Sequence, residues 1–359
     1  LADCGRFSVA PIIDWRCRSS AFHLFGSVLG VGALQKNRRF ADNPRYADLL
    51  TKSGTGSSRM PVAQNAVLIV DDDPDYRKLL QGRLEHADFT TAEACDGSEA
   101  VEILKVESYD VILLDLNMPN MGGYEVLQWI QGNANTQDIN VIVLTANSIR
   151  DHVVTSLTLG AKDFITKSAG KLELLTRVRR QCQIKTLEGN ANNKIADKEL
   201  LQSTVLLVDD DQLSIGLTAR RIENAGYRVL RATRGQDALS IVQNEDIKLA
   251  LLDIDMPDIS GLEVLKHIRA IKPKEELAII MVTAIEDPDM VIDCINAGAD
   301  DYIMKPFHPA ELTARINTIL RYSLLLSREH RRRRKQQELA NLGERIRNTE
   351  KPQINSQEG

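Results

Sequence analysis

Cysteine is scarce in this chain and carries no pattern. The five cysteines stand at positions 4, 17, 95, 182 and 294 of 359 residues, with no CxxC pair and no Cys/His spacing. Neither a zinc site nor a disulfide framework is indicated, and a reducing cytoplasm fits. Long apolar runs are also missing: the longest low-charge stretch, 21–34, is too short to span a bilayer and too far inside for a usual signal peptide. A cytoplasmic protein without a membrane partner is expected. Glutamate is absent from the first 59 residues, the chain begins with Leu, and Met60 stands just before the first apolar run. Residues 1–64 therefore read as a disordered or non-native N-terminal extension, through a start placed too early, an engineered addition or a native tail.

A basic surface is lacking where the bulk of the chain lies. Residues 60–320 carry 26 Lys or Arg against 41 Asp or Glu, a balance of −15 hidden by the overall −5. That disfavours nucleic acid as a partner of this region. The run HRRRRK at 330–335 has no interleaved aromatics and no helix-turn-helix beside it, so it reads as a solvated helix face. None of the six histidines has a convincing phosphotransfer context.

What the chain does contain is a tandem repeat. Asp71, Asp72, Asp115, Thr145 and Lys167 are matched by Asp209, Asp210, Asp253, Thr283 and Lys305, always 138 positions on. Each of these residues follows or ends a short apolar run. The runs at 66–70, 111–114, 141–144 and 163–165 in the first copy, and at 205–208, 249–252, 279–282 and 301–303 in the second, read as buried parallel strands. Asp73 and Pro74 suit the cap and first position of a helix, and Gly226 suits the left-handed position after its counterpart. Five strands alternating with five helices in each copy imply an open parallel sheet covered on both faces, with ligands at the carboxyl ends of the strands.

The chemistry of the repeated residues is coherent. Three converging carboxylates raise one another's pKa unless a cation intervenes, and Mg²⁺ is the expected cation because it takes oxygen ligands and commonly joins carboxylates to a phosphate. A phosphoryl group arriving at Asp115 or Asp253 needs its equatorial oxygens neutralised. The metal, a threonine hydroxyl and a lysine ammonium can each take one.

The segments VLIVDDDP, VILLDLNMPNMGGYE, VIVLTAN and GAKDFITKS, with VLLVDDDQ, LALLDIDMPDISGLE, IIMVTAI and GADDYIMKPF, closely resemble receiver domains of two-component response regulators. The resemblance implies two flavodoxin-like (βα)5 domains, at 65–186 and 204–322, joined by a linker at 187–203 and followed at 323–359 by a C-terminal helix and tail. It further implies that Asp115 and Asp253 accept phosphate from a sensor histidine kinase or a histidine phosphotransfer protein. Asp72 and Asp210 would ligate Mg²⁺ directly, Asp71 and Asp209 through water, and Asn117 and Asp255 through backbone carbonyls. Lys167 and Lys305 would bind the phosphate. Thr145 and Thr283 would move toward it, letting the switch residues Phe164 and Tyr302 swing inward and biasing the face made by the last helices and strand.

One departure bears on the first copy. The family usually has a cis peptide after the lysine, which costs about 0.5–1 kcal/mol before Pro306 but about 2.5–4 kcal/mol before Ser168. Lys167 is expected to be held less rigidly, or to precede a costly bond. A phosphohydrolase of the haloacid dehalogenase type also uses an Asp and Mg²⁺, but Asn117 replaces its second acid in one copy, and Met256 and Pro257 follow in the other. The expected protein is a phosphoacceptor, not an enzyme, with a homodimer as one option. Alternatives are the regulatory portion of a longer protein with an output domain such as a diguanylate cyclase, or one receiver serving only as a dimerisation adaptor. Leu339, Leu342 and Ile346 form a stripe at helical spacing that suits a small partner or self-association. Asn147 and Ile285, two beyond each threonine, predict a slower loss of phosphate at Asp253 than at Asp115.

Overall fold

The structure is a computed structural model that describes residues 65–146, 150–189, 195–284 and 288–349; the expected extension at 1–64, Asn147 and Ile285 lie outside the described residues. The first copy runs β1 (Ala66–Val70), α1 (Pro74–Glu85), β2 (Thr90–Ala94), α2 (Gly97–Val106), β3 (Val111–Asp115), α3 (Gly123–Gly132), β4 (Asn140–Thr145), α4 (Arg150–Thr158), β5 (Asp163–Thr166) and α5 (Lys171–Glu188). A short helix, α6 (Asp197–Leu201), leads into the second copy. That copy runs β6 (Thr204–Val208), α7 (Gln212–Asn224), β7 (Arg228–Ala232), α8 (Gly235–Asn244), β8 (Leu249–Asp253), α9 (Gly261–Ile271), β9 (Ala278–Thr283), α10 (Pro288–Ala297), β10 (Asp301–Met304) and α11 (Pro309–Thr349).

Both sheets are parallel and have the same order, β2-β1-β3-β4-β5 and β10-β9-β8-β6-β7. The central strands are buried end to end, as their unbroken aliphatic runs require of a sheet covered on both faces. The expected helix signals act as read. Asp73 caps α1 by accepting from the amides of Asp75 and Tyr76, Asp211 caps α7 through the Leu213 amide, and Gly160, Gly226 and Gly298 take positive φ after helices. Only β2 and β7 have no apolar run of their own, being edge strands with partly exposed, polar sequences.

The segment between the copies does more than connect them. Ile184 of α5, with Ile195 and Leu200 on either side of the α6 start, packs into the core of the second copy beside Leu312, Ile316, Ile319 and Leu325. Helix α5 continues two residues past the expected boundary at 186. The last helix of the second copy and the expected C-terminal helix are one element, α11, of 41 residues and about 60 Å. No helix among the described residues is long and apolar enough to cross a membrane.

Candidate functional site

In each copy the sheet topology brings three strand ends together. Asp71 follows β1, Asp115 ends β3 and Thr145 ends β4, all buried, while Lys167 follows β5. Asp71, Asp72 and Asp115 can bring carboxylate oxygens within 4.8 Å of one another, as can Asp209, Asp210 and Asp253. Asp72 and Asp210 are exposed beside two buried partners, which leaves their oxygens open to an ion from solvent.

The lysines bridge the buried carboxylates. Lys167 Nζ lies 2.7 Å from Asp115 Oδ2 and 2.8 Å from Asp71 Oδ2. Lys305 Nζ lies 2.9 Å from Asp253 Oδ2 and 2.8 Å from Asp209 Oδ2. Burial alone would lower both ammonium groups, but their hydrogen bonds to the carboxylates outweigh it and raise them above the ordinary lysine value. Burial pushes Asp71 in one site and Asp253 in the other above the usual carboxylate range, against the pull of the lysines. A divalent cation would relieve that cost, so the donor set fits a hard, oxygen-seeking ion.

Local backbone fixes the remaining groups. The Asn117 amide donates to Asp115 Oδ1 at 3.2 Å, and the Asp73 and Asp211 amides donate to Asp71 and Asp209 Oδ1 at 2.9 and 3.0 Å. Asn117 and Asp255 are exposed on the turns after Asp115 and Asp253. The Thr145 hydroxyl is buried without a hydrogen-bond partner among the described residues, which fits an oxygen that bonds a ligand. Thr283 is equally buried. Gly123 and Gly261 approach so closely that a Cβ there would lie 2.3 Å from the carbonyl oxygen of Asp115 and 2.0 Å from that of Asp253. These glycines stand at the 138-residue offset but carry no side-chain chemistry to draw attention to them in the sequence.

The lysine-following bond resolves the expected alternatives. Lys305–Pro306 is the one cis peptide among the described residues, so no cis bond precedes Ser168. Lys167 is nonetheless well held, since its amide donates to the Thr145 carbonyl at 2.7 Å, as that of Lys305 does to the Thr283 carbonyl at 2.6 Å.

Phe164 and Tyr302 lie on facing surfaces of the two copies. Phe164 is buried with the Arg315 guanidinium 4.7 Å from its ring centre, and the Tyr302 hydroxyl donates to Glu173 Oε2 at 2.8 Å. Phe164 and Tyr302 thus each touch the other copy. The face expected to receive partners, made by the last strand and helix, is occupied in both copies by its counterpart. Asp163, Arg177, Asp301 and Arg315 build this contact, and charges at strand starts and within helices give no signal in one sequence of whether they meet solvent or each other.

The family model for the response regulator receiver domain matches residues 67–179 and again 205–317. The response regulator PleD of Caulobacter vibrioides is 25% identical over 265 residues, covering 70% of this chain and 58% of PleD. The probable transcriptional regulator ycf27 of Porphyridium aerugineum is 41% identical over 122 residues, covering 34% of this chain and 50% of its own length. This chain therefore spans little more than half the length of these relatives. Among solved structures, a CheY-like receiver domain protein from Methanospirillum hungatei JF-1 is 35% identical, with a TM-score of 0.33 over 34% of this chain and 96% of that one. With both matched stretches enclosing the carboxylate and lysine clusters, the chain belongs to the response regulator receiver family and carries two receiver domains in tandem.

Proposed function

We propose that both receivers are phosphoacceptors, with Asp115 and Asp253 taking phosphoryl groups from the phosphohistidine of a sensor histidine kinase or a histidine phosphotransfer protein. A carboxylate oxygen attacks phosphorus, the P–N bond breaks, and its electron pair stays with the imidazole nitrogen. Lys167 and Lys305 each leave an acceptor oxygen for a phosphoryl oxygen, and the Thr145 and Thr283 hydroxyls bond another. Mg²⁺ held by Asp72 and Asp115, or Asp210 and Asp253, with the carbonyls of Asn117 and Asp255 and with Asp71 and Asp209 through water, would neutralise phosphoryl charge. On this reading the chain promotes only its own phosphorylation and dephosphorylation. The observation that carries this reading is the near-identical bridging of two carboxylates by one lysine in both copies.

The output follows from population shift: phosphate favours one arrangement of Thr145 and Phe164, or of Thr283 and Tyr302, and so alters the contact between receivers. A homodimer formed through that same face would require the receivers to part. Incubation with acetyl phosphate and Mg²⁺ should label two aspartates per chain, one after D115N or D253N, and none after both. Full labelling of the double variant would refute the assignment, and a wild-type chain labelled once would favour the adaptor role for the other receiver. The 58% coverage of PleD supports a second reading, the regulatory portion of a longer protein with an output domain such as a diguanylate cyclase. Sequencing the gene beyond the codon for residue 359 decides it.

A further inference from the structure

The two phosphoacceptor sites differ at one position of the helix that follows the acidic pair. In the first receiver that position is Tyr76, and in the second, 138 residues on, it is Ser214. The Tyr76 hydroxyl donates to the backbone carbonyl of Lys167 at 3.3 Å. Its ring centre lies 5.1 Å from Lys167 Nζ. One side chain therefore grips both ends of the lysine, the main chain by a hydrogen bond and the ammonium by the negative face of the ring. Ser214 cannot reach so far, and its hydroxyl instead donates to Asp209 Oδ2 at 2.6 Å.

The neighbourhood reinforces the contrast. Arg77 donates to the Asp71 carbonyl at 2.6 Å, where the second copy has Ile215. Arg83 donates to the Ala169 carbonyl at 3.3 Å, so helix α1 is tied to the segment after β5 at two points that flank Ser168. Tyr76 is partly buried against the core formed by Leu80, Leu113 and Leu174, and its position is set before any ligand arrives.

We propose that Tyr76 is a positioning residue of the first site, holding Lys167 for phosphoryl capture at Asp115, and that the second site has no such residue at the equivalent place. The ammonium must exchange Asp115 Oδ2 for a phosphoryl oxygen while its backbone stays still. The ring supports the charge through that exchange, and the hydroxyl anchors the backbone. The proposal rests on Asp115 being a phosphoacceptor.

The test uses the full chain carrying D253N, so that only Asp115 is labelled, and initial rates with acetyl phosphate in Mg²⁺. Tyr76→Leu should lower the rate about three- to thirtyfold, the range expected for loss of a ring–cation contact, and Tyr76→Phe should recover part of it by restoring the ring. In the D115N chain, Tyr76→Leu should leave labelling of Asp253 unchanged. In a Lys167→Ala background, Tyr76→Leu should cause no further loss, because a residue that acts through the lysine has nothing left to position. An unchanged rate in Tyr76→Leu, an equal loss at Asp253, or an equal further loss without Lys167 would each overturn the proposal. Labelling that survives D115N with D253N would instead sink the phosphoacceptor reading itself.

Discussion

Arg315 on the last helix of the second receiver reaches Asp163 at the start of β5 in the first, Nη1 to Oδ1 at 2.9 Å. The relation is reciprocal: Arg177, 138 positions earlier, reaches Asp301 of the second receiver at 3.2 Å. Each arginine also lies near the aspartate of its own receiver, at 3.6 Å for Arg177 and 4.0 Å for Arg315. Four buried charges thus form a two-fold pseudo-symmetric cluster at the centre of the contact. Arg180 adds to it through the Asp301 carboxylate and the Asp300 carbonyl, and at the exposed margin of the contact Tyr322 donates to Gln183.

Breaking this cluster at one arginine should be expensive, because the carboxylates left behind are buried. Arg315→Ala is expected to lower unfolding free energy by about 3–5 kcal/mol. Arg231→Ala, which removes an exposed pair with Glu223, should cost no more than about 1 kcal/mol. Urea unfolding of the full chain compares them, and equal small effects would show that the cluster does not hold the receivers together.

Tyr302 offers a gentler lever on the same contact. Tyr302→Phe deletes the hydrogen bond to Glu173, whose other oxygen pairs with Arg177 at 2.9 Å. Faster amide exchange in α5 and α11, with labelling of Asp253 retained, is the expected outcome. Unaltered exchange would mean that Tyr302 carries no cross-receiver tie.

The contact should also weaken as pH rises. Burial lifts Glu311 to about 7, and the pull of Arg177 does not cancel it. Between the unfolded value near 4.5 and about 7, the folded chain holds a proton that the unfolded chain has released, so stability falls across that window. Asp163 and Glu173 also face this group, and Arg315 lies 3.9 Å from it. Glu311→Gln should flatten the fall in melting temperature between about pH 5 and pH 7. A slope identical to that of the parent would rule Glu311 out as its source.

Gly261→Ala would place a methyl group against the Asp253 carbonyl, within 2.0 Å unless the backbone shifts. A destabilisation of about 1–3 kcal/mol and slower labelling at Asp253, with Asp115 unaffected, are expected. Melting curves and single-acceptor labelling would check both parts, and an unperturbed Asp253 would show that the turn gives way freely.

Leu339 and Leu342 are exposed as their spacing implied, and the Ile346 side chain lies outside the described residues. Truncation after Tyr322 should change the mass in solution if this stripe self-associates.

Much of the molecule was legible in one dimension because its determinants are local. Aliphatic runs ending at Asp71, Asp115 and Thr145 mark buried parallel strands, and in a parallel sheet every such run delivers its last residue to the same edge. The 138-residue offset then marks both sets of clustered carboxylates and lysines. The fifth strand of each copy, β2 or β7, has no range legible in sequence, because TTAEA and RVLRA sit at a sheet edge, where neighbours and not their own periodicity make them strands. Tertiary structure alone decided the rest. Arg177, Arg315, Asp163 and Asp301 repeat at the same offset, yet charged residues of this kind are ordinarily solvated, and only the packing of α5 against α11 removes them from water. Tyr76 likewise looks like any aromatic on an amphipathic helix until β5 is laid beside β4 and brings Lys167 over its ring. Sequence states which groups are present; which of them face each other depends on chain segments about 90 to 150 residues apart closing on one another.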